Sequence, residues 1–343
     1  MRIILIILLA FIISGCSSIV KVNHDSVAAL EKQNTIEFNN VHYPVSIKTL
    51  TSKGEEQEQI FKKPPQRIVG VWQNSMETPM ALGVGDRLVA AIGLPNDKTL
   101  RPEYRDIYGK IAYRSLEHLD VETMLMLEPD LIIGWHSTFG AKVLRSTDFW
   151  HSRGVNTYIA RNASPVNKNR TLENELQDIL DLGKILDRQK EAEKIVEDTK
   201  REIELARIEA SKHDKKRRAL IIEFLGKNIM AYGEKSLAGN MVQLLNGELL
   251  AAKERNLSLE QIIEYDPDVL FVIVIEAQYG KEDMILKRIY DNKALRGLKC
   301  VQNKNIIPLP FYCVYTSGVR SYDGIKLISH SLYPEIGKKD SKQ

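Results

Sequence analysis

The segment SLEHLDVETMLMLEPDLIIGW, residues 115–135, is echoed by NLSLEQIIEYDPDVLFVI, residues 256–273. The offset is a constant 138 residues, from Glu122 to Glu260. Leu119 matches Leu257, Pro129 matches Pro267 and Asp130 matches Asp268; Val121, Met124 and Leu125 match Leu259, Ile262 and Ile263. Each copy is one physical unit. Asp120 or Ser258 offers a side-chain acceptor to the first free N–H groups of a helix. The glutamate falls in the first turn, where negative charge suits the helix dipole. Proline stops the helix, because it lacks an N–H and clashes with the preceding turn. The apolar run that follows, LIIGW or VLFVIV, has the character of a buried parallel strand. A chain that carries this unit twice in register is expected to fold as two similar α/β halves.

The flanking segments fit that plan. RIVGVW (67–72), LVAAIGL (88–94), LIIGW (131–135) and NTYIA (156–160) are strand candidates. Helical segments around 77–83, 120–127 and 141–152 separate them, which is the alternation of a parallel sheet. VSIKTL alternates and predicts an edge hairpin. In the second half RRALIIEFL (217–225), IMAYG (229–233), VLFVIV (269–274) and IIPLP (306–310) read as strands, with helices in SLAGNMVQLLNG and KEDMILKRIYDNKALRGL. Between the halves, Thr171 opens a helix bearing Leu172, Leu176, Ile179, Leu180 and Leu186. A charged helix then carries a narrow stripe of Ala192, Ile195, Val196, Thr199, Ile203 and Ala206, three and four residues apart. From Arg188 to Ser211 it would run about 36 Å at 1.5 Å per residue, a rigid connector. The stripe is too short and weakly apolar for a coiled coil.

At 343 residues the chain can bury two cores. A charge of +3, from 48 basic and 45 acidic residues, is too balanced for a nucleic-acid surface. Nucleophile elbow, HExxH, P-loop and complete GxGxxG motifs are absent, so no enzyme is expected. The N-terminus, Met1-Arg2 followed by IILIILLAFII, has signal-peptide length. Ile13-Ser14-Gly15-Cys16 resembles a bacterial lipobox, which implies a lipidated Cys16 and a membrane tether outside the cytoplasm. Cys300 and Cys313 remain, expected as two buried thiols. The expected organisation is signal peptide 1–15, tether 16–34, first lobe 35–165, connecting helices 166–212, second lobe 213–336 and a loose tail 337–343.

The lipobox, PPQRIVGVWQNSMETPMALGVGDRLVAAIG, the doubled helix-Pro-Asp-strand unit and the long central helix together resemble one family: the helical-backbone substrate-binding lipoproteins of ABC importers, which carry ferric siderophores, haem or cobalamin. The similarity covers about residues 45–335, and the order of the motifs is its specific part. The resemblance implies two Rossmann-like α/β lobes joined by a single long rigid helix, with a ligand cleft between them. It implies a monomer that works with a permease dimer and its ATPase subunits, at the cell surface or in the periplasm, with no intrinsic cofactor. It implies that Glu122 and, by the repeat, Glu260 dock on arginines of a permease with two-fold symmetry. A ligand-sensing surface lipoprotein is the alternative of a different class.

The cleft should lie at the C-terminal ends of strands. Trp135 matches a cleft tryptophan of the cobalamin binder in that family and stands first; Trp72, Met76, His136, Tyr232, Tyr279, Tyr312 and Tyr315 also follow strands. Trp and Tyr cover broad chelate faces. Arg114, Arg161 and Arg320 would supply planar forks for carboxylate or catecholate oxygens. His136 or Met76 is a candidate axial ligand for haem iron. The segment METPMALG lacks the tyrosine that haem binders often place there. The order of expectation is therefore a ferric siderophore, then a corrinoid, then haem, with a small nickel chelate also open.

Overall fold

A computed structural model describes residues 43–117 and 120–340. The lipobox, Cys16, the tether and Leu119 of the repeat lie outside the described residues. The alternating VSIKTL segment forms β1 (Val45–Leu50), antiparallel to β2 (Glu56–Phe61), with Val45 and Ile47 buried and Ser46 and Lys48 exposed. This is the expected hairpin.

The first large sheet contains β3 (Ile68–Val71), β4 (Leu88–Ile92), β5 (Tyr113–Ser115), β6 (Leu131–Gly134) and β7 (Asn156–Ile159), in the order β5-β4-β3-β6-β7 with every pairing parallel. The strand order reverses between β3 and β6, which opens a crevice at their C-terminal ends. The second sheet contains β8 (Arg218–Leu225), β9 (Asn228–Ala231), β10 (Glu248–Leu249), β11 (Asn256–Leu257), β12 (Val269–Val274) and β13 (Ile306–Pro310). Its order is β11-β9-β8-β12-β13, with β10 beside β8; β8, β12 and β13 are parallel and β9 is antiparallel.

The helices of the first lobe are α1 (Gln73–Ala81), α2 (Pro102–Lys110), α3 (Val121–Met126) and α4 (Thr147–His151). The connectors are α5 (Leu172–Leu186) and α6 (Gln189–Ala210); the second lobe adds α7 (Leu237–Leu244), α8 (Leu259–Tyr265), α9 (Glu282–Tyr290), α10 (Lys299–Gln302), α11 (Ser321–Leu332) and α12 (Pro334–Asp340). Several of these differ from the sequence expectation: α4 is confined to Thr147–His151 within the expected 141–152, and α10 is an additional short helix. α1 starts directly after β3 rather than near residue 77, and ends soon after its internal Pro79. α2 was not expected, although Pro102 at its first position is a helix-start signal. α12 covers residues expected to be a loose tail, because Ile336 is buried against the second core.

The repeated unit is repeated in detail. Asp120 Oδ1 accepts from Thr123 N–H at 2.9 Å, and Ser258 Oγ accepts from Gln261 N–H at 3.3 Å. The residue before each proline is left-handed, Glu128 at φ 45° and Asp266 at φ 40°. Asp130 accepts from the N–H groups of Gln66 and Arg67, both at 2.8 Å, and Asp268 from that of Arg218 at 2.9 Å. The aspartate thus fastens each new strand to the start of the central one.

The stripe on α6 serves both cores. Ala192 and Val196 join the first-lobe core, whereas Ile203, Ala206 and Ala210 join that of the second lobe. Over 22 residues the helix is about 33 Å long. Cys300 and Cys313 are buried free thiols in different cores.

Candidate ligand cleft

The strand ends of both lobes converge on an aromatic cavity of about 250 Å³. Trp72 follows β3, Trp135 follows β6, Glu276 follows β12, and Phe311 and Tyr312 follow β13. The rings form a connected series. Trp72 and Trp135 have centroids 5.0 Å apart, Trp135 and Tyr315 5.8 Å, and Tyr315 and Phe311 4.4 Å. Trp135 Nε1 donates to Asn74 Oδ1 at 2.9 Å, which fixes the indole plane. Burial pushes the Glu276 carboxyl above the usual glutamate range.

Trp72 has φ 74° and ψ 157°, an extended positive-φ conformation that is unfavourable for a bulky side chain. Gly93 accommodates it. A Cβ at Gly93 would lie 2.8 Å from the Trp72 ring, so only glycine lets the indole lie flat on β4's exit.

Tyr315 also lines a second cavity, of about 670 Å³. There Arg170, Lys235, Lys253 and Arg255 outnumber Glu234 and Glu254. The Arg170 guanidinium sits 4.1 Å over the Tyr315 ring, and its Nη2 donates to Tyr315 Oη at 2.7 Å. An aromatic compartment therefore adjoins a basic one. Such a pair can cover an apolar chelate face while meeting negative charge at its rim.

Of the residues expected from the sequence, Trp72, Trp135, Tyr312 and Tyr315 line the aromatic cavity and Tyr232 lines the basic one. Tyr232 donates its hydroxyl to Glu223 at 2.7 Å. Tyr279 is exposed beyond the Glu276 turn. The expected trio of arginines is not assembled. Arg161 is held by Asp178 at 2.5 Å and Asp181 at 2.7 Å. Arg320 is held by Glu77 at 2.9 Å and Asp323 at 2.5 Å, and lies 4.7 Å over the ring of Tyr312, where it buttresses the cavity wall. Arg114 is exposed on edge strand β5, with its guanidinium 5.5 Å from the Tyr108 ring centroid. Met76 is fully buried in the first-lobe core and does not reach the cleft. His136 Nε2 donates to the Ser52 carbonyl at 3.0 Å, a tie to the hairpin loop. Glu122 and Glu260 are both exposed in the first turns of α3 and α8.

Sequence reasoning missed Phe311 and Glu276 of the aromatic cavity, and Arg170, Lys235, Lys253 and Arg255 of the basic one. For the basic set the one available signal was position: Arg170 directly precedes the Thr171 cap of α5.

Three similarities bear on this arrangement. A solved periplasmic binding protein from Veillonella parvula is 37% identical, with a TM-score of 0.84 over 88% of this chain and 95% of that one. An uncharacterized ABC transporter substrate-binding lipoprotein of Bacillus subtilis, YvrC, is 20% identical over 97% of each chain. A vitamin B12-binding protein of Vibrio campbellii is 23% identical over 61% of this chain and 70% of its own. The family described as Peripla_BP_2, periplasmic binding protein, matches residues 68–313. With one parallel and one mixed sheet in its two lobes, one long connecting helix and a cleft at the strand ends, the chain belongs to the periplasmic binding protein family.

Proposed function

We propose that the protein captures a ferric siderophore outside the cytoplasm and delivers it to an ABC-type permease. The observation that carries the ligand class is the junction at Tyr315 of an aromatic cavity with a basic one. Trp72 and Trp135 cover a chelate face; Arg170, Lys253 and Arg255 meet its peripheral oxygens. Arg320 acts through the cavity wall, over the ring of Tyr312. The delivery role is supported by the similarity to an ABC transporter substrate-binding lipoprotein. Glu122 and Glu260 are the docking contacts, one on each lobe. Cys16 carries the lipid anchor; among the described residues no helix is long and apolar enough to cross a membrane. Binding of ferric siderophores, followed by tryptophan fluorescence, tests this reading. Saturable quenching that weakens in Arg170→Ala is expected, and an unaltered titration in that variant contradicts it.

A corrinoid is the second reading. The paired indoles 5.0 Å apart and the similarity to a vitamin B12-binding protein favour it. Haem ranks lower, since Met76 lies in the core and His136 is tied to Ser52.

A further inference from the structure

The C-terminal end of α6 and the start of α12 carry donors for which the cleft has no use. Glu209 lies in the last turn of α6, and His213 in the turn that follows its end. Glu335, in the first turn of α12, meets them. One potential ligand atom from each of the three residues lies within 4.8 Å of the others. His213 and Glu335 are partly buried, and the atoms His213 Nε2 and Glu335 Oε2 are shielded from solvent and make no hydrogen bond. Glu209 is only 6% exposed. Buried polar atoms without a partner are costly. A divalent cation can satisfy an imidazole nitrogen and carboxylate oxygens together.

We propose that Glu209, His213 and Glu335 bind a divalent cation of the zinc class, which staples the end of the long connecting helix to the C-terminal helix. One imidazole and two carboxylates form a borderline donor set suited to such an ion, with a fourth position left for water. Tetrahedral bonds of about 2.0–2.1 Å place donors about 3.3 Å apart, so the side chains close in by small rotations. Two neighbours shape the site. The His213 ring stacks on Tyr333, with centroids 5.9 Å apart and an interplanar angle of 25°, which holds its plane. Lys212 Nζ lies 2.7 Å from Glu209 Oε2, so Glu209 is shared between the cation and the lysine, which moderates affinity. The site joins elements packed on the second-lobe core and is independent of the transport reading.

The test uses the full-length protein in mild detergent, stripped of metal with a chelator. Zn²⁺ is titrated by calorimetry, Co²⁺ is followed by its ligand-field absorption, and thermal unfolding is recorded with and without Zn²⁺. Saturable Zn²⁺ binding that raises Tm is expected. His213→Ala and the nearly isosteric Glu335→Gln should each lower affinity at least tenfold, remove the Tm rise and abolish the Co²⁺ bands, whereas Trp135→Ala leaves all three readouts unchanged. Far-UV circular dichroism identifies any variant that fails to fold. Absence of saturable binding, or equal affinity in the wild type and in folded Glu335→Gln, overturns the proposal.

Discussion

Trp72 holds an unfavourable backbone conformation at the place where a ligand face would rest. Its φ of 74° is maintained by the indole lying on Gly93 and by the Trp135 ring 5.0 Å away. Strain of this kind costs on the order of 1–3 kcal/mol and persists only where surrounding packing enforces it. Gly93→Ala is therefore expected to displace the indole and weaken ligand binding, with unfolding still cooperative; ligand titration beside urea unfolding separates the two effects. Trp135→Ala, which removes the central ring of the series, should weaken binding by about tenfold or more, as buried aromatic anchors do. Trp72 and Trp135 were legible because each ends the apolar run of a strand; Phe311 was not singled out. The arginines were not legible. Whether a guanidinium is free depends on which carboxylates the fold brings to it, and Glu77 lies 243 residues from Arg320 in the chain.

The elements were legible where one local rule was sufficient. Caps at Asp120, Thr171 and Ser258, and runs such as VLFVIV, state their structure in a few residues. Short elements such as β5 and α4, of 3 and 5 residues, rest on tertiary contacts and leave little periodicity to read. The duplicated unit places Glu122 and Glu260 on equivalent first turns. Charge reversal at both is expected to abolish uptake in cells while leaving ligand affinity unchanged; uptake that survives contradicts the docking role. α5 makes a different connection. Glu175 Oε2 accepts from the N–H groups of Ser317 at 3.1 Å and Gly318 at 2.5 Å, which ties the connecting helix to the loop beside the cleft. Burial, with Asp178 nearby, pushes its carboxyl up to about 8 against the opposing pull of these donors. Between the ordinary glutamate value and about 8, the folded chain retains a proton that the unfolded chain has released. Stability should therefore fall as pH rises across that interval. Urea midpoints measured from pH 5 to about 8 should show this slope, flattened in Glu175→Gln.

At the scale of the whole molecule, one helix face is shared by two cores, and charged side chains bridge the lobes. Arg320 reaches Glu77 at 2.9 Å, and Arg101 reaches Asp323 at 2.8 Å. Ile203→Ala on α6 should cost roughly 2–4 kcal/mol of stability, by loss of apolar burial and formation of a cavity, as read by chemical denaturation. With such cross-links and a single connecting helix, only small lobe closure is expected on ligand binding. Capture of a chelate between lobes of nearly fixed separation is the central claim. The measurement that tests it most directly is tryptophan fluorescence titration with ferric siderophores, cobalamin and haem, comparing the wild type with Trp135→Ala and Arg170→Ala. Saturable quenching by a ferric siderophore, weakened in both variants, is the predicted result. Tight binding of cobalamin or haem alone, or siderophore affinity unchanged in both variants, would contradict it.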